Sequence, residues 1–248
     1  MDCFYLKLAG QELLCRVRYP ETADYFTRFA PPSSVVTIPE GRRINEVLRP
    51  VMIPDADWRE YLSMGMEDSP HTEYSMLTEY CADELAMRDR MILHASAIRW
   101  RDRAYLICAD SGVGKSTQTK WLQELRPGEF SVICGDRPLL SFHDNEIMVH
   151  PSPWNGKENW HGADAAPLAG ILLLERKDED RLLTVPKEQA ALQIYSHIIH
   201  SGWNPGVIRR IAGMATYMLN TVPVWKLCSA NVPASTQLMI DELFCGGN

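Results

Sequence analysis

Short apolar runs alternate along most of the chain with segments whose apolar residues recur at three- and four-residue spacing. The runs predict strands and the spaced segments predict helices, because side chains repeat every two residues in a strand and about every 3.6 in a helix. The predicted strands are 92–100, 104–108, 131–134, 139–142, 147–150, 168–174 and 222–227, and the predicted helices are 72–88, 115–125, 187–200, 205–219 and 233–244. This alternation indicates an α/β domain.

The first 70 residues follow a different pattern. Short alternating runs at 4–8, 13–17 and 35–38 are separated by Gly10, Pro20, Pro31-Pro32 and Pro39. Glycine and proline between such runs are typical of turns. We therefore predict a small β-rich lobe over 1–70, without a catalytic motif, followed by a larger domain over 71–248.

Composition narrows the classes of partner. The chain has 248 residues, 46% of them hydrophobic, and a net charge of −7. An acidic protein repels phosphodiester backbones, so no nucleic-acid partner is expected. The start of the chain lacks a basic and apolar leader, and the aliphatic stretch Leu168–Leu174 is too short to cross a bilayer, so no membrane partner is expected. Seven scattered cysteines without a CxxC pair favour reduced thiols, a cytoplasmic protein and no zinc site.

A glycine-rich segment lies between the predicted strand 104–108 and the predicted helix 115–125. It nearly matches the phosphate-binding pattern G-x-x-x-x-G-K-[ST], in the strand–loop–helix context that the pattern requires, and reads Ala109-Asp110-Ser111-Gly112-Val113-Gly114-Lys115-Ser116-Thr117. Inward backbone N–H groups and the positive end of a helix both attract phosphate oxygens. We therefore predict a nucleoside triphosphate site at Ala109–Ser116, with residues 110–117 in contact with the nucleotide.

Two side chains of this segment have predicted chemical roles. Lys115 should reach the outer phosphates and take part in catalysis, and the Ser116 hydroxyl should bind Mg²⁺. Ala109 replaces the first glycine of the pattern, which the loop tolerates if that position does not need a positive φ. The alternative is a chance Ser/Gly turn before a helix, and the agreement of motif and context favours the phosphate site.

A second magnesium ligand is expected at the end of a neighbouring strand. Asp136 fits that place, since it follows the apolar run 131–134 and Gly135. An oxygen ligand of this kind is what Mg²⁺ prefers. The alternative is an aspartate that caps an ordinary turn before Pro138.

These residues together resemble a known family. The run His94-Ala95-Ser96-Ala97, a hairpin and then the glycine-rich segment resemble the catalytic domain of HPr kinase/phosphorylase, which is similar to the nucleotide-binding part of phosphoenolpyruvate carboxykinases. The resemblance is close over 92–136. Within this superfamily the chain looks most like bacterial HPr-kinase-like proteins, through Lys115-Ser116-Thr117, Trp121, Gly135-Asp136-Arg137-Pro138-Leu139-Leu140 and Pro153-Trp154-Asn155-Gly156-Lys157-Glu158. It implies an HPr kinase/PEP carboxykinase-like P-loop domain beside the small lobe.

The resemblance also implies a serine-type P-loop kinase with a histidine near the transferred phosphoryl group. It further implies two adjacent acidic residues after the second strand, one a general base and one a magnesium ligand. Here Gly135 occupies the place of the base, and Asp136 keeps the metal position. The sequence alone suggests that Gly135→Asp would leave the fold intact and would not reduce turnover.

Three further side chains are candidates, each with an alternative. His94 lies in an apolar run, where a histidine is commonly a core residue, but its interval to the glycine-rich loop favours a catalytic role as base or phosphate contact. Lys157 and Glu158 lie in a long polar loop over 151–167. Such loops often carry function, so Lys157 is expected to contact phosphate and Glu158 to assist as base or second metal contact. The alternative is an exposed turn whose Trp154 packs onto the sheet.

Other charged residues are given no role. Glu175-Arg176 ends a predicted strand, where solvated charges are common. His197 and His200 lie three residues apart without a third ligand near them in sequence, so no metal role is expected for them.

The sequence thus predicts a nucleoside-triphosphate-dependent kinase that uses ATP or GTP with Mg²⁺ and phosphorylates a hydroxyl of a peptide, protein or small molecule. A nucleotide-binding regulatory or accessory module is the alternative, favoured by Gly135. Carboxykinase-like chemistry is less favoured, because no set of arginines for oxaloacetate is evident. The acceptor, the preferred nucleotide and the oligomeric state are left open, with a homo-oligomer as one option.

Overall fold

A computed structural model describes residues 2–28, 35–37, 49–143, 145–160, 162, 164–202 and 204–245, with only the backbone at 35–37. Of the predicted features, Pro31-Pro32, Ile38 and Pro39, and positions 161 and 163 of the polar loop, lie outside these residues. No helix within them combines the length and the apolar character that a membrane span requires.

The N-terminal region forms a three-stranded antiparallel sheet with strand order β2-β1-β3. Its strands are β1 Asp2–Leu8, β2 Gln11–Val17 and β3 Val35–Thr37, and two helices accompany them, α1 Pro20–Arg28 and α2 Asp55–Ser63. The strands were predicted, whereas both helices were missed. Pro20 was interpreted as a breaker, but proline is favoured in the first turn of a helix, where its missing N–H costs nothing.

The remaining nine strands form one curled sheet. Its strands are β4 Arg90–Ile92, β5 Ala95–Trp100, β6 Arg103–Cys108, β7 Phe130–Cys134, β8 Leu139–His143, β9 Glu146–His150, β10 Ala166–Arg176, β11 Arg181–Thr184 and β12 Val224–Ser229. The start of β10 pairs with β9, and its remainder lies between β6 and β12. The exposed strand β11, which lacks a buried apolar run, was not predicted.

The predicted strand 92–100 is two strands in the structure. β4 pairs with β8, whereas β5 pairs with β6 and β7. The chain therefore changes strand partners at Leu93 and His94, which belong to neither strand. Periodicity did not show this break, because Leu93 is as buried as the strands around it.

Helices cover the sheet on both faces. They are α3 Pro70–Ala86, α4 Lys115–Leu125, α5 Lys187–Ser196, α6 Pro205–Thr221 and α7 Pro233–Met239, which continues into a π-helix at Ile240–Cys245. Strands and helices that alternate around one large sheet confirm the α/β class. The helix predicted over 187–200 ends at Ser196, because 197–201 runs beside β4 and α3 instead, with hydrogen bonds to Ile92 and Asp83.

Two cores lie on the faces of the large sheet, and a third joins the small sheet to α3. In the third core, Phe4, Leu6 and Phe26 pack with Leu77 and Trp154. Apolar surface from the N-terminal strands is therefore buried against α3 and against the loop that carries Trp154. This packing places the N-terminal sheet beside the loop that passes over Gly135, at the end of β7.

Candidate functional site

Several chain segments meet at one edge of the large sheet. Strands β6, β10 and β12 are parallel, and β7, antiparallel to β5, points the same way as β6. Their carboxyl ends therefore lie at one edge, where α/β proteins commonly bind ligands. The glycine-rich loop follows β6, Asp136 follows β7, and His94 precedes β5 at the same edge, since Ala95 pairs with Cys108. A backbone hydrogen bond of 2.8 Å from Ala95 N to Asp136 O joins two of these segments.

The glycine-rich loop, residues 109–114, has the backbone that its glycines permit. Gly112 and Gly114 adopt φ values of 81° and 126°, in the region that L side chains disfavour. Ala109 is not among the residues with positive φ, so alanine in place of the first glycine of the pattern introduces no backbone strain. A 2.9 Å bond from Gln118 N to Gly114 O begins α4, and the helix N-terminus faces the loop.

Lys115 is the buried cation of this edge, with 8% of its surface exposed. Its Nζ donates to the Ala109 carbonyl at 2.8 Å and lies 3.1 Å from His94 Nε2. Burial lowers the pKa of Lys115, and the nearby Asp136 carboxylate acts in the opposite direction. The ammonium is thus held across the mouth of the loop by a carbonyl and an imidazole.

Asp136 lies on the other side of the imidazole. Its Oδ1 is 3.2 Å from His94 Nε2, and its Oδ2 is 3.5 Å from Arg137 Nε. Burial acts to raise the pKa of this carboxyl, but the hydrogen bond with His94 and the charges of Arg137 and Lys115 outweigh it. The pKa of Asp136 therefore lies below the usual value for aspartate.

His94 is fixed by its backbone and is not enclosed in the apolar core. Its N–H donates to His197 O at 2.7 Å, and a quarter of its side chain is exposed. The ring of His197 packs edge-on against it, with ring centroids 5.9 Å apart. Burial and the proximity of His94 lower the pKa of His197, which favours a neutral ring there.

Gly135 is closed to any side chain. A Cβ on this residue would lie 2.5 Å from Asn155 O and 3.4 Å from Trp160. Gly135 N also donates to Trp160 O at 2.8 Å, and Gly135 O accepts from Ser96 Oγ at 2.7 Å. The earlier expectation that Gly135→Asp would leave the fold intact is therefore wrong, because the loop 152–160 crosses directly over the glycine.

The loop 152–160 has a buried half and an exposed half. Ser152, Pro153, Trp154 and Asn155 are buried, and Trp154 packs against Phe26 in the third core, whereas residues 157–159 are exposed. A Cβ on Gly156 would lie 3.0 Å from the Asp136 Cβ and 3.6 Å from Glu158 Oε2. Asp136 and Glu158 thus both lie close to Gly156, and Lys157 is a solvent-exposed side chain on the same turn.

The other residues of the predicted site are distributed along the loop and the first turn of α4. Asp110, Ser111 and Gly112 are exposed. Val113 is partly buried and packs against the core that contains Leu122 of α4. Ser116 and Thr117 are half-buried on α4. None of these positions conflicts with contact to a phosphate chain.

Sequence reasoning missed Asn231, in the loop after β12. It has a φ of 58°, and its Oδ1 lies only 2.7 Å from where a Cβ on Gly114 would be. That oxygen is buried and accepts no hydrogen bond within the described residues. The sequence did contain a signal for this residue, because Asn231 comes just after an apolar strand. Residues in that place lie at the edge where parallel strands end and ligands commonly bind.

A buried polar network joins this loop to α4. Gln118 donates to Ser229 at 3.2 Å and accepts from Thr236 at 2.6 Å, and Asn231 N donates to Ser229 at 2.9 Å. Because Gln118 and Thr236 are fully buried, losing one partner would leave the other unsatisfied. The network therefore fixes the first turns of α4 against α7.

The residues that were given no role differ in their distance from these contacts. Glu175 is paired with Lys177 at 2.7 Å and with Lys226 at 3.3 Å, as expected of a solvated strand end. His197 packs on His94, whereas His200 packs near Tyr195. No cluster of three or more His, Cys, Asp or Glu side chains suited to a metal occurs among the described residues.

The donors at this edge still suit a magnesium ion. Mg²⁺ is usually held by one or two protein oxygens, with water and substrate phosphates completing its shell, so it needs no protein cluster. Ser116 supplies a hydroxyl and Asp136 a carboxylate, and both lie beside the glycine-rich loop. These two residues would hold the ion.

Comparison with protein-family models and with curated proteins gives no match. Among solved structures, the chain is similar to one described as the Hpr(Ser) kinase/phosphatase from Coxiella burnetii. The alignment has 14% identity and a TM-score of 0.35, and it covers 63% of this chain and 99% of that one. This is a distant likeness.

Proposed function

We propose that the chain is a nucleoside-triphosphate-dependent kinase of the HPr-kinase-like class, which transfers the γ-phosphoryl group to a hydroxyl of a peptide, protein or small molecule. The observation that carries the proposal is the meeting of Lys115, His94 and Asp136 at the mouth of the glycine-rich loop, with adjacent contacts of 3.1 and 3.2 Å. These groups come from three separate segments of the chain. A cation, an imidazole and a carboxylate in such contact beside a phosphate-type loop are suited to phosphoryl transfer.

Each group has a task that follows from its chemistry. The backbone N–H groups of 110–114 and the N-terminus of α4 would hold the phosphates, and Lys115 would give them a point charge. Asp136 and Ser116 would hold Mg²⁺, which neutralises charge on the outer phosphate oxygens. Lys157 and Glu158, on the exposed half of the loop 152–160, would meet the acceptor or the terminal phosphate.

The site would also change the contacts of its own residues when it is filled. Lys115 Nζ donates to Ala109 O, and Asp136 is paired with Arg137. His94 Nε2 lies between these two charged side chains, and its tautomer decides whether it accepts from Lys115 or donates to Asp136. Phosphate and magnesium are stronger partners for these charges than an imidazole is. Binding would therefore replace the contacts on both sides of His94 and release its Nε2.

A regulatory or accessory nucleotide-binding module is the second candidate. It is favoured by Gly135, where the approach of Asn155 O leaves no space for a carboxylate beside Asp136. Such a module would bind nucleotide without appreciable turnover. ATP or GTP in the cytoplasm would then act as a signal and not as a phosphoryl donor.

The experiment that separates the two candidates measures binding and turnover on one sample. Calorimetric titration with ATP and with GTP, each with Mg²⁺, should show binding that Lys115→Ala weakens. Release of ADP or GDP, with and without hydroxyl-bearing peptides and small molecules, should follow in the wild type. Binding without any turnover would support the accessory module, and no binding at all would overturn both candidates.

A further inference from the structure

We propose that His94 is itself phosphorylated on Nε2 and passes the phosphoryl group to the final acceptor. This inference rests on the proposed nucleotide-binding function. It adds a covalent intermediate and a modification site on the chain to that function. The juxtaposition that carries it is His94 Nε2 at 3.1 Å from Lys115 Nζ, at the mouth of the glycine-rich loop.

The first argument is distance. An ammonium that binds a phosphate oxygen does so at about 2.7–2.9 Å. The γ-phosphate of a nucleotide that is hydrogen-bonded to the Lys115 ammonium would therefore lie next to His94 Nε2, which is in contact with the same ammonium. Reacting atoms in productive complexes are about 3–3.5 Å apart, and Nε2 is within reach of that separation without a change in the backbone.

The second argument is orientation. The backbone of His94 is held by the bond to His197 O, and the neighbouring Ala95 N is bonded to Asp136 O. The ring is further fixed by edge-on packing against His197. Nε2 is therefore presented toward Lys115 and Asp136 by a rigid segment, in the manner of a nucleophile positioned by its surroundings.

The third argument is the closed position at Gly135. Direct transfer to a hydroxyl needs a group that takes the hydroxyl proton, and the end of β7 cannot supply a second carboxylate at position 135, where a side chain has no space. In the tautomer with its proton on Nδ1, the imidazole attacks through the lone pair of Nε2 and has no proton to lose at that atom. A histidine nucleophile therefore removes the need for a base in the first step.

The chemistry balances in two steps. First, the Nε2 lone pair forms a bond to the γ-phosphorus while the bond to the β–γ bridging oxygen breaks, and the nucleoside diphosphate leaves with that electron pair. Second, the acceptor hydroxyl oxygen attacks the phosphorus, the N–P bond breaks, and its electron pair returns to Nε2. Nε2 then takes the hydroxyl proton and releases it to solvent, so that the sum is nucleoside triphosphate plus alcohol giving diphosphate, phosphoester and a proton.

The test needs no knowledge of the acceptor. The purified chain is mixed with Mg²⁺ and γ-³²P-labelled ATP, and separately GTP, then quenched rapidly under alkaline denaturing conditions. We expect protein-bound label that survives alkali and is lost in mild acid, as a phosphoramidate is. Mass spectrometry should map it to His94, and excess unlabelled diphosphate should remove it as labelled triphosphate.

Matched variants separate the histidine from the fold. His94→Ala and His94→Gln should lose the label yet melt near the wild-type temperature and bind nucleotide in calorimetry. His143→Gln, an exposed histidine at the far end of β8, should keep the label.

Three results would overturn the intermediate. They are acid-stable label, hydroxylamine-sensitive label on a carboxyl group, and nucleotide binding or turnover without any label in rapid quench. In the last case the proposed nucleotide-binding function stands and only the relay fails. A chain that binds neither ATP nor GTP would overturn both.

Discussion

Gly135 and Asn155 approach each other so closely that a Cβ on the glycine would lie 2.5 Å from the asparagine carbonyl oxygen. The loop 152–160 is held over the end of β7 by two backbone hydrogen bonds, from Gly135 N to Trp160 O and from Arg137 N to Trp154 O. The close approach of Asn155 O to Gly135 results from this arrangement. The packing of this loop therefore excludes an acidic side chain at position 135, so a single substitution cannot supply one. Restoring an acid at this position would require a different loop.

We expect Gly135→Ala to destabilise the protein by about 2–3 kcal/mol, because a single added carbon must displace backbone atoms. Gly135→Asp should be worse and should not gain activity. Urea denaturation measures the free energy of unfolding of each variant.

Gly213→Ala is the matched control, since that glycine lies in α6 with nothing within 4 Å of an added Cβ. This substitution should stabilise the protein by about 0.5–1 kcal/mol. Wild-type stability in Gly135→Ala would show that the loop moves freely.

We expect Lys115→Ala to weaken the binding of ATP with Mg²⁺ by about 2–3 kcal/mol, since the phosphates lose their charged donor. Calorimetric titration measures the change. Lys120→Ala is the control on the same helix, because that lysine is 64% exposed and its pair with Glu124 is a weak surface contact. Equal affinities of wild type and Lys115→Ala would remove the nucleotide site from the glycine-rich loop.

The elements of the large domain could be predicted because their patterns are local. The helix 115–125 agrees with α4 at both ends, and the last strand was placed within two residues of β12. The helix α1 was missed because Pro20 was interpreted as a breaker, although the nine residues of this helix are amphipathic. The π-helix at 240–245 was missed because its apolar spacing matches that of an ordinary helix over so short a length.

The candidate site could be predicted from the sequence only in the part that one continuous segment forms. The glycine-rich loop is a continuous motif, so its residues could be named from sequence. The closed position at Gly135 and the contact of Asn231 with Gly114 depend on residues 20 and 117 positions apart, respectively, which no local pattern links. The role of His94 was suggested by a family resemblance, but its position between Lys115 and Asp136 follows from the change of strand partners between β4 and β5.

Glu79 on α3 gives a prediction about pH. Burial raises the pKa of this carboxyl to about 7, although the charge of Arg137 acts to lower it. The native state therefore binds a proton that the unfolded state has released between about pH 4.5 and 7, so stability falls as pH rises through that range and stays lower above it. We expect Glu79→Gln to stabilise the protein by about 1–2 kcal/mol at pH 8, after allowance for partial exposure, and to have little effect at pH 4. Melting curves at both pH values measure this, and an equal effect at the two would contradict the buried-carboxyl explanation.

Asp136 is the residue for which we expect the largest loss of turnover with the smallest change in shape. Phosphoryl transfer has a loose transition state, so charge neutralisation by magnesium matters more than a base, which contributes about two to four powers of ten. An amide holds Mg²⁺ poorly, so Asp136→Asn should abolish release of ADP while it keeps the size and the backbone contacts of the aspartate. The isosteric control is Asp102→Asn, in the exposed turn before β6 at the opposite edge of the sheet, which should turn over like the wild type. Measured release of ADP by Asp136→Asn within tenfold of the wild type would mean that another group holds the ion, and it would remove Asp136 from the metal site.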